Sequence, residues 1–534
     1  MPGAATVTDV APRLPPQSVW RQTAPLSAVR GWSDSFPLTP IAALLQAAAR
    51  AHGSLPALIG LRENLDNDAV ARRVHQVGAW IENTVPADQA IATLVSHTPS
   101  GIAAILGCVA AGRITIPLNP GDPPGRVATL LNDAGAAFLL TDQARLPDLP
   151  ARTRVLNLRD CASVRAEYVT ATAHSPDAVC MVHYTSGSSG RPKGIAVSAY
   201  NILFRAFQNI DGLRFGPDSR VFTAFGPESS AGIAMIVAAL VRGAAVLVAN
   251  LAADGAGAVL RLCASAHADA LVVPTPVLGS LLALDSTRAA FARLRLVRLG
   301  AAGLARVDLD RWRARLPEQC GITHSYGSTE AMIVAELAVP REPADDGPSV
   351  AVGQMRPGLE YALVDAKDRP VADGECGELI VRGRHVAAGE WQAGGFVTGR
   401  MQPDPARPGT RVFRTGDLLR FGADGMLRFA GRVDRQIKIN GVRVEPAEIE
   451  SVIRGHPAVR DVAVVASPVG LHAFVVAPGA DADALRTEIV ARMRVALPSA
   501  LRPRLVSVVE HLPSLPGGKL DVQTLQGWAQ RAVR

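Results

Sequence analysis

The chain is poor in aromatic residues, which make up 4% of its 534 positions, and charged residues reach only 19%. It has no block of Lys and Arg, no CxxC pair, and no apolar run of about the eighteen residues that a membrane helix needs. Each absence excludes a class. Without clustered basic residues interleaved with aromatics, the net charge of +7 reads as a solvated surface and not as a nucleic-acid footprint. Without a long apolar stretch, no membrane partner is expected. The six cysteines (Cys108, Cys161, Cys180, Cys263, Cys320, Cys376) are scattered and lack His partners at ligand spacing, which argues against a disulfide framework or zinc site and for a reducing, cytoplasmic home. Residues 1–20 lack the basic and then apolar pattern of a secretory leader; they suit a loose arm. What is abundant is apolar residues, 48%, enough for large buried sheets and too many for disorder.

Lysine is scarce in a more specific way. Of 55 basic residues only Lys193, Lys367, Lys438 and Lys519 are lysine. In so arginine-biased a chain, a surviving lysine points to a site where a compact ammonium on a thin stem does what a planar guanidinium does not. Lys367 lies in a polar turn, but the other three fall in glycine-containing motifs.

Helical patterning at 40–51 and 101–112 is followed by short apolar strands and Pro-Gly turns, and the pattern recurs at 233–243, 258–268 and 304–316. Helices alternating with wholly apolar strands predict buried, largely parallel sheets whose active loops lie at strand C-terminal ends. From 360 to 432 the texture changes to alternating strands and tight turns, which predicts an antiparallel β-rich subdomain. The expected division is a loose arm over 1–35, a large α/β domain over 36–433, and a small mobile α+β lid over 434–534 containing a helix at 482–497.

Tyr184-Thr-Ser-Gly-Ser-Ser-Gly-Arg-Pro-Lys-Gly194 follows an apolar strand. Its glycines allow close backbone approach, its hydroxyls offer donors, and Lys193 adds a point charge, a composition suited to a polyphosphate. It lacks the spacing of the common P-loop, and a flexible linker is the plain alternative. Tyr326-Gly-Ser-Thr-Glu330 reads alone as a turn, Arg414-Thr-Gly-Asp417 as a β-turn aspartate, and Gly431-Arg-Val-Asp-Arg-Gln-Ile-Lys-Ile-Asn-Gly441 as a strand and hairpin. Leu515-Pro-Gly-Gly-Lys519 stands near the C-terminus.

Together and in this order the five motifs resemble the acyl-adenylating superfamily of acyl-CoA synthetases, nonribosomal peptide synthetase adenylation domains and luciferases, most nearly a free-standing adenylation domain. The resemblance runs from about Pro40 to Leu525. It implies that Thr185, Ser186, Gly187, Ser188, Ser189, Gly190 and Lys193 cradle ATP phosphates, and that Gly300, Ala301, Ala302 and Tyr326 receive the nucleotide. It further implies that Thr329 bonds a phosphate, Glu330 holds Mg²⁺, Asp417 accepts the ribose hydroxyls and Arg432 reaches the nucleotide. Lys519 then bridges substrate carboxylate and α-phosphate, Asp434 is the hinge, and Lys438 and Gly441 belong to the thioester-forming face.

The resemblance also implies a substrate pocket at Phe225, Glu228, Ser230, Ala231, Ala234, Ser325 and Ile333. Ser230 aligns where amino-acid-activating relatives carry the aspartate that pairs the α-ammonium. The acid is therefore expected to lack a standard α-amino group, unless Glu228 supplies that partner from another angle. His324 is expected to be a packed or solvated residue and not a base, since an ionised carboxylate needs none. The expected activity is ATP-dependent acyl-AMP formation with release of pyrophosphate, then transfer to the phosphopantetheine of a separate carrier protein, because the chain ends soon after Lys519. Ligation to free CoA is the alternative, and an inactive nucleotide-binding interaction protein ranks behind both.

Overall fold

The computed structural model describes residues 14–29, 33, 35–163, 175–185, 192–341, 349–433, 437–439, 442–513 and 520–532. Among these residues the strands form sheets of eight, nine and six in the N-terminal part and of two and three in the C-terminal part.

In the eight-stranded sheet, Arg154–Asn157, Phe138–Thr141, Ile91–Leu94 and Thr115–Pro117 run parallel to β1 (Val179–Thr185). β2 (Lys193–Ser198) then turns back antiparallel beside β1. The nine-stranded sheet has a parallel centre too: Pro56–Gly60, Ala245–Val248, Arg220–Thr223, Ala270–Pro274, β3 (Leu296–Gly300) and β4 (Gly321–Ser328). Strands such as Ile91–Leu94 and Ala245–Val248 are buried at every residue, which is why they are wholly or almost wholly apolar, Thr93 being the one polar residue of the two.

Helices cover these sheets. α1 (Pro124–Ala134) starts on a proline and ends at Gly135 with φ +61°, a left-handed cap that glycine adopts without strain. α2 (Ala199–Leu213) is opened by a capping box in which Ser198 and Asn201 exchange side-chain bonds to each other's N–H, at 3.2 and 2.9 Å. α3 (Ser230–Val241) is capped by Ser229, whose hydroxyl accepts from Gly232 N–H at 3.0 Å, and it is buried nearly all round. A helix without a polar face belongs between layers, as its run of Ala, Ile, Met and Val requires.

The antiparallel sheet includes Glu360–Val364, Gly377–Gly383, β5 (Arg411–Phe421) and β6 (Leu427–Arg432), as expected for a β-rich subdomain. Two strands of that stretch depart from it. Gly389–Gln392 and Gly395–Val397 leave this sheet and extend the eight-stranded one beside β2. The arm expected to be loose over 1–35 is also docked in its described part. Arg21–Gln22 pairs with Glu360 and Tyr361, Val19 joins a cluster with Ala362, Ile380 and Val412, and the Arg382 guanidinium lies 4.1 Å from the Trp20 ring centroid. An aromatic and aliphatic anchor outweighs the proline and threonine that suggested a loose chain.

From residue 437 on, the chain has cores of its own. Val462, Val464, Leu471, Val475 and Val506 of the three-stranded sheet pack against α4 (Pro446–Arg454) and α5 (Ala482–Ala496) through Ile449, Ile453, Leu485 and Ile489. Against the large domain, the Arg126 guanidinium of α1 meets the Glu448 carboxylate of α4 in a buried pair. The Val495 carbonyl of α5 lies where a methyl at Gly125 would be only 3.1 Å away. All six cysteines are free thiols, and among the described residues no helix is long and apolar enough to cross a membrane.

Candidate active site

The C-terminal ends of β1, β3 and β4 converge with the β5–β6 pair on two adjoining cavities. One, of about 640 Å³, opens between the domains and is lined by Ala302, His324, Phe429, Val464 and Gln526. The other, of about 490 Å³, runs into the large domain past Thr185, Phe225, Ala231 and Ile333. Ala301, Ser325, Tyr326, Gly327 and Arg432 line both and form the wall between them.

Tyr326 is the centre of that wall. Its hydroxyl donates to one Asp417 carboxylate oxygen, and the Arg432 guanidinium pairs with the other. Sheet register explains the meeting, because Asp417 of β5 stands directly opposite Arg432 of β6. Burial, then the Asp417 charge, pushes the Tyr326 hydroxyl far up, so it remains a donor. The three residues nominated from separate motifs therefore form one hydrogen-bonded line.

Beside it, Gly300 and Ala301 line the second cavity and Ala302 the first. A β-carbon at Gly300 would lie 2.9 Å from the Ser325 hydroxyl, so the close packing of β3 on β4 requires glycine. Ala301 has φ +63°, a left-handed conformation that costs an alanine roughly 1–2 kcal/mol. Thr275 steadies the turn by donating to the Ala302 carbonyl at 3.1 Å. His324 is buried between the carbonyls of Ala302 and Ala351, at 3.2 and 3.0 Å, and burial pulls its pKa down, so it is a packing residue as expected.

At the end of the β1–β2 pair, Thr185 stands opposite Lys193, with the Thr185 hydroxyl donating to the Lys193 carbonyl at 3.4 Å. Ser186, Gly187, Ser188, Ser189 and Gly190 lie outside the described residues. Lys193 Nζ is 2.5 Å from Glu390 Oε1, and Arg400 Nη2 is 3.0 Å from Glu330 Oε1. Arg400 also approaches Glu390 at 3.8 Å, so the four residues make a chain of alternating charge. Burial lowers the Lys193 pKa against the pull of Glu390. Thr329 lines the second cavity; Glu330, next in sequence, is fully buried behind it.

Among the described residues no group of three or more His, Cys, Asp or Glu side chains could hold a metal alone. A single carboxylate, Glu330, would fit Mg²⁺ brought in by phosphate oxygens, since that ion keeps several waters and takes few protein ligands. Lys519, Asp434 and Gly441 lie outside the described residues, and Lys438 lies on the strand Ile437–Ile439.

Of the expected substrate-pocket residues, Phe225, Glu228, Ala231, Ser325 and Ile333 line the second cavity. Ser230 and Ala234 do not. α3 turns Ala231 and Met235, one turn apart, toward the cavity, which leaves Ala234 in the core and the Ser230 hydroxyl accepting from Arg205 at 3.4 Å. Glu228 is already engaged: His97 Nε2 lies 3.0 Å from its Oε2. Burial opposes charge on both, but the pairing prevails, so the His97 pKa is raised and that of Glu228 lowered. His183, which contacts the Glu228 carbonyl at 2.8 Å, is driven down to about 4 by burial and stays neutral.

Sequence reasoning missed Arg205, Asn209 and Arg298 in the cavity wall, and Asp122 and Arg126 at its mouth. A signal existed for two of them. Arg205 interrupts the apolar face of Ile202–Phe207, and Arg298 interrupts the apolar strand β3.

Comparison with known proteins comes to the same place. Residues 45–391 match the family described as AMP-binding enzyme, and residues 448–519 match the AMP-binding enzyme C-terminal domain. Novobiocin biosynthesis protein H of Streptomyces niveus is 30% identical over 92% of this chain and 83% of its own length. The isonitrile lipopeptide synthase of Streptomyces coeruleorubidus is 34% identical over 82% of this chain, which spans only 30% of that protein. The o-succinylbenzoate CoA synthetase of Bacillus subtilis shares the fold at a TM-score of 0.77, with 21% identity over 91% of this chain and 98% of that one. With both its large and its small domain matched, this chain belongs to the AMP-binding enzyme family, the adenylate-forming ligases.

Proposed function

We propose that this protein activates a carboxylic acid with Mg·ATP as an acyl-adenylate, releases pyrophosphate, and passes the acyl group to the phosphopantetheine thiol of a carrier protein. The observation that carries the reading is the Tyr326–Asp417–Arg432 line in the wall between two cavities. In this reading the interdomain cavity receives the nucleotide and the deeper one the acid. Tyr326 offers its ring to the purine, and Asp417 has lone pairs left for the ribose hydroxyls.

The charge chain fits the arrival of Mg·ATP. The triphosphate would take Lys193 from Glu390, and Glu330 would turn from Arg400 to hold Mg²⁺, so each buried charge would exchange one partner for another. Thr185, Thr329 and residues 186–190 serve the phosphates. Lys519 bridges carboxylate and α-phosphate, Asp434 is the pivot, and Lys438 and Gly441 serve thiol transfer. The attacking carboxylate is ionised at neutral pH, which suits a site whose histidines His183 and His324 are held neutral. In-line placement and stabilisation of developing charge account for catalysis. Free thiols throughout accord with the cytoplasm.

We further propose that the acid lacks a standard α-amino group. Ser230 offers no carboxylate to an ammonium, and Glu228 is held by His97. The test is pyrophosphate exchange across amino, β-amino, aryl and fatty acids, in wild type and Glu330→Gln. Exchange should require ATP, Mg²⁺ and an acid without an α-ammonium, and should collapse in Glu330→Gln. Efficient exchange with an L-α-amino acid, and little with its deaminated analogue, would contradict the substrate assignment.

A further inference from the structure

Each guanidinium in the wall of the deeper cavity has a carboxylate partner among the described residues, with the exception of Arg205. Arg432 pairs with Asp417, and Arg126 with Glu448 and, at 3.5 Å, Asp122. Arg298 donates to Asn209 at 2.7 Å and pairs with Glu336 at 2.5 Å; Glu336 is shared with Arg356 at 3.0 Å, and Arg356 reaches Asp211 at 2.6 Å. That network holds two guanidiniums and two carboxylates and is closed. Glu228, the remaining acid of the cavity, is spoken for by His97.

Arg205 meets only neutral acceptors, the Ser328 carbonyl at 3.2 Å and the Ser230 hydroxyl at 3.4 Å. Burial, with the Arg298 charge added, drives its pKa down to about 10, still far above neutrality, so the guanidinium keeps its charge. A cation held in a closed wall without a counter-charge is a standing destabilisation, which an anionic ligand relieves. Neutral acceptors are already supplied; what the site lacks is negative charge. The sign of the local field is also opposite to what an ammonium requires, since a cation stands beside the serine that aligns with the aspartate of amino-acid-activating relatives.

We propose that Arg205 is the specificity residue of the acid cavity and that the substrate is a dicarboxylic acid, one carboxylate adenylated and the other held by the Arg205 guanidinium. This rests on the adenylation reading above and deepens it. The fork geometry of arginine suits two parallel N–H bonds to a carboxylate, and charge-assisted bonds of this kind are the strong ones.

The experiment compares succinate, glutarate, adipate and phthalate, each with its half-amide, in two assays: pyrophosphate exchange, and thermal protection of the protein by the acid in the presence of a non-hydrolysable ATP analogue. Wild type should prefer at least one diacid over its half-amide by about ten- to a hundredfold in kcat/KM, the worth of a charge-assisted bond. Arg205→Gln should erase that preference, the loss falling on the diacid and showing mainly as a raised KM, and Arg205→Lys should keep part of it. Equal use of diacid and half-amide by wild type, or an undiminished preference in Arg205→Gln, would overturn the role of Arg205 and leave the adenylation reading intact. Protection by a diacid without exchange for any acid would count against adenylation and for Arg205; neither protection nor exchange would overturn both.

Discussion

The buried histidines give a pH dependence whose sign follows from their surroundings. His183 and His385 are both lowered to about 4 by burial, so between about pH 4 and 6.5 the unfolded chain binds protons that the native chain refuses. The stability they contribute is complete above the unfolded pKa and is lost as the pH falls through that window, by about 3 kcal/mol for each. His385 stacks on Phe204 at 5.3 Å, so His385→Phe keeps a ring in place while removing the titration. The urea midpoint of the variant should fall less steeply than that of wild type between pH 6.5 and 4; parallel curves would refute the assignment. His97 runs the other way. Its pKa is raised by Glu228, so its contribution is full below about 6.5 and is lost as the pH rises through the raised value. At this scale the meeting of Tyr326, Asp417 and Arg432 was prefigured in the sequence only in that each sits in a motif of its own. The lining of the second cavity was less legible: which face of α3 looks into it depends on where the helix begins, and Ser229, not an earlier residue, is its cap.

Among elements, the contact of α1 with α4 decides how the small domain sits. The Arg126–Glu448 pair is buried on both sides, with exposures of 9% and 3%, so removing Glu448 leaves the Arg126 charge with only the longer Asp122 contact at 3.5 Å. Glu448→Gln should loosen the docking by a few kcal/mol, as is usual for a broken buried pair. Hydrogen exchange in α1 and α4 should speed up while the core strand Gly470–Val476 keeps its protection. Unchanged exchange in α1 and α4 would mean that the pair does not hold the domains. Adding Arg126→Gln to Glu448→Gln should cost less than the two single changes summed, because the pair they share is lost only once. The parallel centre of each large sheet was readable from buried apolar strands alternating with helices. The transfer of Gly389–Gln392 to the eight-stranded sheet was not, because its partner β2 lies nearly two hundred residues away and its own pattern of alternation fits either sheet. The docked arm was missed for a similar reason: Trp20 finds Arg382 only once the β-rich subdomain exists.

For the whole molecule, two cavities share one wall beside the small domain, in a chain of the adenylate-forming ligase family. That the chain has a large and a small domain was legible in the sequence, and family models match the two parts separately, over 45–391 and 448–519. The charge balance of the acid cavity was not, since it depends on which of many arginines end up buried together. The central claim is that the substrate carboxylate attacks the α-phosphorus. It is tested most directly by giving the enzyme its best acid with both carboxylate oxygens labelled as ¹⁸O, together with ATP, Mg²⁺ and a phosphopantetheine acceptor, and weighing the products. When a thiol displaces the adenylate, the bridging oxygen leaves with the nucleotide, so the AMP should carry one heavy oxygen and the pyrophosphate none. Label in inorganic phosphate, with ADP as the nucleotide product, or AMP free of label, would contradict acyl-adenylation by this protein.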